Sequence, residues 1–447
     1  MLSKKDFYKL VLSMVIPIAL QNLINVGIQA ADVLMLGKVS ETVLSAASLG
    51  GQINYIMTLI FFGITSGATV LTAQYWGKQD MDAIERILGI ALKIAVLVSL
   101  VFMLAAFFIP QVLMGIYTSE QSVAKEGIRY LRIVCFSYFF TAIVMVYLNV
   151  LKSLERIMIA TVCYGLSFVT NVAINALLIF GLGPFPKLGI IGAAIGTLCA
   201  RVAEAVLLCF YARSKKLPIH FKWNYFIHTD KTLFKDFLIF SMPVVLNELM
   251  WGLGTSMNTA VMGHLGKAVV AANSVAQVVR QLVTVVGFGI ASVAAILIGK
   301  TIGQGEMKAA KVYAGWLIRL AVEVSLVAAG IVLLLRPVLI SQMELTVQAQ
   351  GYLSMMMFVM SYFVVCQTYN TNIIVGILRG GGDTKFGLIL DVISMWCGSI
   401  LIGALAAFVF KFPITVVYMI LMGDEVIKIP LCTWRYRQRK WLRDVTR

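Results

Sequence analysis

A carboxylate inside a long apolar run is a residue type that can bind and release a small cation or a proton. Glu204 and Glu323 have Arg201 and Arg319 at helical spacing to pair with, and Asp391 and Asp424 lie nearer span ends, which leaves Asp32 and Glu248 of this 447-residue chain as the foremost candidates. Asp32 lies toward the end of its run, in Gln29-Ala30-Ala31-Asp32-Val33-Leu34-Met35-Leu36-Gly37. It reads either as an ion-binding group or as an acid that marks a span end, a turn or so from Gly37 and Lys38. Glu248 sits deeper in its run, between Asn247 and Leu249 and five residues after Pro243. A carboxyl at that depth can load a proton, or hold a cation when ionised. Asn171 and Asn175 fall four apart, so a helix places both on one face. With Asp32 they offer carboxylate and amide oxygens, a donor set suited to Na+. The same two amides serve equally well as helix-to-helix hydrogen-bonding groups.

The elements that must position these residues are membrane helices. With 60% hydrophobic and 13% charged residues, the chain has too little polar surface to coat a soluble globule. The expected spans lie near residues 10–36, 44–74, 87–109, 128–150, 157–180 and 189–211, then 237–263, 269–299, 312–335, 350–375, 386–409 and 413–433. They are continuously apolar rather than alternating, which predicts an all-α membrane protein of about twelve transmembrane helices and not a barrel.

The chain uses one stretch twice. Pro17 recurs as Pro243, Gly37 as Gly263, Phe62-Gly63-Ile64 as Phe288-Gly289-Ile290, Ser66 as Ser292, Gly77 as Gly303 and Met81 as Met307, each 226 positions on. A repeat of that length is a duplicated half, and an even number of spans per copy makes the two six-helix lobes parallel and pseudo-symmetric. The expected organisation is lobe 1–211, cytoplasmic linker 212–236, lobe 237–433 and basic cytoplasmic tail 434–447. The acids do not repeat: Asp32 corresponds to Asn258, and Glu248 to Asn22. Gln52 and Tyr55 in one copy, and Gln277, Arg280 and Gln281 in the other, stand at matching levels and are candidates to line a cavity. Met357, in a methionine-rich stripe suited to varied apolar ligands, and Gln367 join that lining.

A net charge of +16 does not make this a nucleic-acid binder, because the bases sit in short segments between spans. Lys4 and Lys5, Lys78 and Arg86, Lys152 and Arg156, Arg213, Lys215 and Lys216, Lys300 and Lys308, and Arg379 and Lys385 fall on one side. That pattern predicts a multi-pass protein of the plasma (inner) membrane with both termini cytoplasmic. The segment Trp434 to Trp441, mixing bases and aromatics, is expected on anionic lipid headgroups. Seven scattered Cys read as small buried hydrophobes. No P-loop or H-E-x-x-H motif occurs, and Gly380-Gly381-Gly382-Asp383 reads as a tight interhelical turn, so neither an enzyme nor a resident cofactor is expected.

Asp32-Val33-Leu34-Met35-Leu36-Gly37, Ala73-Gln74-Tyr75-Trp76-Gly77 and Leu378-Arg379-Gly380-Gly381-Gly382-Asp383-Thr384, together with Pro17 and Pro243, resemble the MATE family, the multidrug and toxic compound extrusion transporters. The resemblance covers nearly the whole chain. It implies a secondary antiporter that exports diverse, often cationic, small organic compounds in exchange for inward Na+ or H+, working as a monomer in membrane lipid. It also implies a first-lobe cation site, matched by Asp32, Asn171 and Asn175, and a second-lobe site matched by Glu248. The span-ten acid of that second site is replaced by Gln367-Thr368-Tyr369. Two rival classes are a flippase for a lipid-linked saccharide, which would want more bases to meet pyrophosphate, and a structural membrane protein, which gives no reason for the duplication.

Overall fold

The computed structural model describes residues 2–213, 219–342 and 345–446; among them every regular element is helical. In order these are α1 (Lys4–Gly37), α2 (Glu41–Lys78), α3 (Met81–Phe108), α4 (Pro110–Tyr117), α5 (Gln121–Val134), α6 (Phe136–Ser153), α7 (Met158–Phe180), α8 (Ile190–Ala212) and α9 (Trp223–Ile227). There follow α10 (Lys231–Gly263), α11 (Lys267–Gly303), α12 (Met307–Gln342), α13 (Val347–Thr371), α14 (Thr384–Asp391), α15 (Leu401–Ala404), α16 (Ile414–Leu421) and α17 (Asp424–Arg437). π-helical segments Asn372–Leu378, Val392–Ile400 and Leu405–Val409 continue α13, α14 and α15 without a break in the rod. Eleven helices of the described residues are long and apolar enough to cross a bilayer. The span expected at 413–433 is instead divided, α16 ending at Leu421 and α17 starting at Asp424, because a glycine and two acids interrupt the apolar run.

The chain forms two compact units. One comprises Leu20–Ala68 and Asp80–Ile239. Its seam between α7 and α8 is made by small residues. A Cβ on Gly192 would lie 2.7 Å from the Leu178 carbonyl carbon, so only glycine lets the two backbones approach this closely. Of the linker, residues 214–218 lie outside the described residues, Lys215 and Lys216 among them. The part from Ile219 onward is strapped to α3. His220 N–H donates to Glu85 Oε1 at 2.8 Å, Lys222 Nζ lies 2.6 Å from Glu85 Oε2, and Lys93 Nζ donates to Thr229 Oγ1 at 2.8 Å.

The strap ends at Asp230, whose Oδ1 accepts from Thr232 N–H at 2.8 Å and Leu233 N–H at 3.2 Å and so caps α10. Those backbone donors, Leu233 first and then Thr232, hold its carboxyl below the usual carboxylate range. A depressed folded value means that the cap's contribution is complete above the unfolded carboxyl's pKa of about 4 and is lost as the pH falls through the folded value. Asp230→Ala is expected to lower stability by about 1 kcal/mol at neutral pH. Thermal melts of the purified protein should show the gap between variant and parent closing under acid conditions.

The other unit comprises Met1–Ala19, Thr69–Gln79 and Phe240–Arg447. The start of α1 is held by the Phe7 ring stacked on Tyr313, centroids 4.5 Å apart. The ends of α2 and α11 meet at glycines: a Cβ on Gly77 would fall inside the carbonyl oxygen of Lys300, and one on Gly303 inside that of Gln74. The turn at Gly380–Asp383 forms as expected, with Gly382 at φ +87° and Asp383 N–H donating to Leu378 O at 2.8 Å.

The tail, expected on anionic headgroups, is also packed on the protein. Trp441 is buried against Gly381 and stacks on Tyr436, Lys78 pairs with Asp444 at 3.1 Å, and Val445 N–H donates to Gln74 Oε1 at 2.9 Å. Large apolar rings and satisfied backbone groups outweigh the basic composition here. Met357 is likewise fully buried, in a core with Met356, Met360, Phe363, Val261 and Met262. An unbranched, polarisable side chain fills core gaps, which removes Met357 from any open surface.

Candidate functional site

The last third of α1 and the middle of α7 bring three sequence-selected residues together. Asn175 Nδ2 donates to Asp32 Oδ1 at 2.6 Å and lies 3.2 Å from Asn171 Oδ1. The two amides are 1% and 0% exposed. They belong to a buried stripe along α7, namely Ala160, Tyr164, Ser167, Asn171, Asn175 and Ile179, which follows from the near-fourfold spacing of small and polar residues. Behind Asn175 stands Gly196 of α8, where a Cβ would coincide with Asn175 Oδ1. That glycine was not among the residues singled out by chemistry; its signal was the Gly192, Gly196, Ala200 spacing on α8.

One atom of this group stands out. Asn175 Oδ1 is buried and has no hydrogen-bond donor. A buried amide oxygen without a partner costs about 1–3 kcal/mol, a cost that a ligand accepting its lone pairs would remove. Asp32 Oδ1 and Asn171 Oδ1 both face Asn175 Nδ2, while Asn175 Oδ1 lies against Gly196; turning that amide over would set three oxygens at one place. Arg201 pairs with Glu204 at 2.8 Å and acts on Asp32 only at longer electrostatic range.

Glu248 belongs to the other unit and has a different environment. Its Oε1 lies 2.8 Å from Arg379 Nη2, with Arg379 itself 3% exposed. The carboxylate is therefore one half of a buried ion pair. In the sequence Arg379 stands as a base between spans, and its placement within the Leu378–Thr384 motif is its one sign of a special role. Removing one partner of such a pair leaves the other uncompensated. Glu248→Gln is expected to cost about 2 kcal/mol of stability, since the amide still accepts a hydrogen bond. A melt of Glu248→Gln beside the double variant with Arg379→Met checks this: the double variant should recover stability.

The remaining candidates are dispersed. Gln52, Tyr55 and Gln281 are exposed, and Gln277 and Arg280 half-buried, with the Arg280 guanidinium 5.9 Å above the Phe363 ring. Gln367 is buried, and its Oε1 has no donor.

The duplication also registers in comparison with known proteins: the MatE family model matches residues 17–177 and again 243–405. The chain belongs to the MatE family. Members are transporters and not enzymes, and this one is a helical membrane protein. The MatE chain is 24% identical over 420 residues to an uncharacterized transporter, YisQ, of Bacillus subtilis, covering 92% of this chain and 90% of that one. It is 25% identical over 407 residues to a probable multidrug resistance protein, NorM, of Rhizobium meliloti, covering 89% and 85%. Among solved structures, a MOP superfamily transporter from Pyrococcus furiosus superposes with a TM-score of 0.88 at 16% identity, covering 96% of this MatE chain and 95% of its own, which establishes the fold.

Proposed function

We propose that the protein is a secondary antiporter that exports diverse cationic organic compounds by alternating access, driven by inward Na+ or H+, with Asp32, Asn171 and Asn175 as the coupling site. One observation carries this reading: Asp32, a carboxylate that makes no ion pair among the described residues, is held by the buried amides of Asn175 and Asn171, and the Asn175 Oδ1 has no donor. Such a set has excess lone pairs and one negative charge, which is what a monovalent cation or a proton would satisfy. Na+ fits the donors present, since carboxylate and amide oxygens are hard ligands. When bound it would supply charge alone. Asp32 would carry the neutralising charge and the two amides would orient it, with Gly196 leaving the room that Asn175 occupies.

The relatives named for multidrug resistance support the substrate class. The excess of bases on alternate connections supports an inner-membrane protein with both termini in the cytoplasm. The reading needs no resident cofactor, no nucleic acid and no second subunit, only membrane lipid and small organic substrates. Efflux of a fluorescent organic cation from proteoliposomes under imposed sodium and proton gradients, applied in turn, tests it. Export driven by neither gradient would refute it.

A further inference from the structure

A second buried charge group, in the unit that contains Glu248, is used by nothing above. Lys428 of α17, 2% exposed, places its ammonium 2.9 Å from Asp391 Oδ1, 3.0 Å from Asp424 Oδ2 and 3.1 Å from Glu425 Oε1. Asp391 is the last residue of α14, and Asp391 and Glu248 lie within electrostatic range of each other. Counting the Glu248–Arg379 pair, four carboxylates stand against two cations. The other titratable groups near the cluster, Cys366 and Cys432, bring no positive charge. Two surplus carboxylates in a buried site demand a positively charged ligand, because an uncompensated buried anion is strongly disfavoured.

An independent observation concerns Asn370 of α13. Its side chain is 1% exposed and points into the cluster, Nδ2 donating to Glu425 Oε2 at 2.8 Å and to Glu425 O at 2.6 Å. Its Oδ1 is buried with no donor. That is the pattern expected of an amide serving two states of one carboxyl. It donates to ionised Glu425, and on turning over it accepts the O–H of the protonated acid. The backbone also departs from α-helical winding here: π-helical segments begin at Asn372 and at Val392, just beyond Asn370 and Asp391. Such segments frequently accompany functional sites.

We propose that Asp391, Asp424, Glu425 and Asn370 form a proton-binding site around Lys428, loaded and emptied during transport. The ligand is a proton and not a metal ion, because the Lys428 ammonium holds the centre where a metal would sit, and no group of three acidic, His or Cys side chains among the described residues is arranged to hold one. No bond other than O–H is made or broken. A proton from water joins a carboxylate, Lys428 turns toward the carboxylates still ionised, and the reverse releases it. The coupling of this site to export rests on the antiport reading; the protonation itself does not.

Two measurements separate those claims. Infrared difference spectra of the purified wild-type protein during a pH titration should contain a protonated-carboxyl band, reduced at least about twofold in Glu425→Gln or in Asp391→Asn. A band of equal intensity in both variants, or one that answers to sodium at constant pH, overturns the proposal. Asp391→Glu keeps the charge and guards against variants that fail to fold: it should move the band's titration midpoint, and an unmoved midpoint overturns the assignment. In weakly buffered solution with a pH-indicating dye, adding tetraphenylphosphonium should release protons from wild type, at least about twofold fewer from Glu425→Gln. Undiminished release overturns the coupling. Wild type that does not bind the probe refutes the antiport reading, and the infrared result then decides the site alone.

Discussion

Asp32→Asn is expected to abolish ion-driven export while leaving expression, insertion and folding intact. The substitution keeps the side chain's shape, and its amide oxygen can still accept from Asn175 Nδ2, so the contact that ties α1 to α7 survives. What is lost is the one negative charge that the site presents to an ion. An elementary charge moving through the membrane potential is worth about 2.3 kcal/mol per 100 mV, so uncoupling a single charge lowers the attainable accumulation ratio by about fifty-fold at that potential. On the antiport reading Asp32 is the carboxylate that holds Na+, so a sodium gradient should not drive the variant. Cation uptake in vesicles with matched amounts of protein reads the effect directly. A normally expressed Asp32→Asn protein that exports at the parental rate would falsify the assignment.

The sequence made the Asp32 group legible because it is built from local geometry. Four-residue spacing put Asn171 and Asn175 on one face, and an acid in an apolar run needs company. The donorless state of Asn175 Oδ1 was not legible, since it depends on Gly196, a residue with no side chain to attract notice. Glu248 shows the opposite case. Its depth in the span was readable, but its ion pair with Arg379 requires two distant segments to meet. The Lys428 cluster was harder again: Asp391 and Asp424 were visible as acids near span ends, yet only folding brings them to the same ammonium. The packing of the basic tail is hidden for a related reason, because composition registers charge and not the room that Gly381 leaves for Trp441. Long-range pairing of polar groups is the information that periodicity lacks.

The repeat itself carries the second large effect. Gly303→Leu is expected to abolish accumulation of folded protein. At the contact between the ends of α2 and α11, Gly77 abuts the Lys300 carbonyl and Gly303 abuts the Gln74 carbonyl, while a Cβ on Gly299 would lie 2.8 Å from the Ala73 Cβ. Gln74 and Lys300, Ala73 and Gly299, and Gly77 and Gly303 are all equivalents at the 226-residue offset. Gly303 therefore meets Gln74 while its counterpart Gly77 meets Lys300, the counterpart of Gln74, and Ala73 meets its own counterpart Gly299, the self-complementary arrangement of a local two-fold axis. This explains why both copies keep glycine: the contact is made twice by one surface, and a side chain in either copy would strike backbone rather than a movable side chain. Overpacking against atoms that can relax costs about 1–3 kcal/mol, and a carbonyl fixed in a helix has less freedom to move. Gly330→Ala in α12 is the matched control, since nothing lies within 4 Å of a Cβ there. It should be neutral or stabilising by up to about 1 kcal/mol through helix propensity. Size-exclusion profiles and melts of the two variants beside the parent decide the matter: a monodisperse Gly303→Leu protein with parental melting behaviour would show that the two helix ends do not depend on this contact.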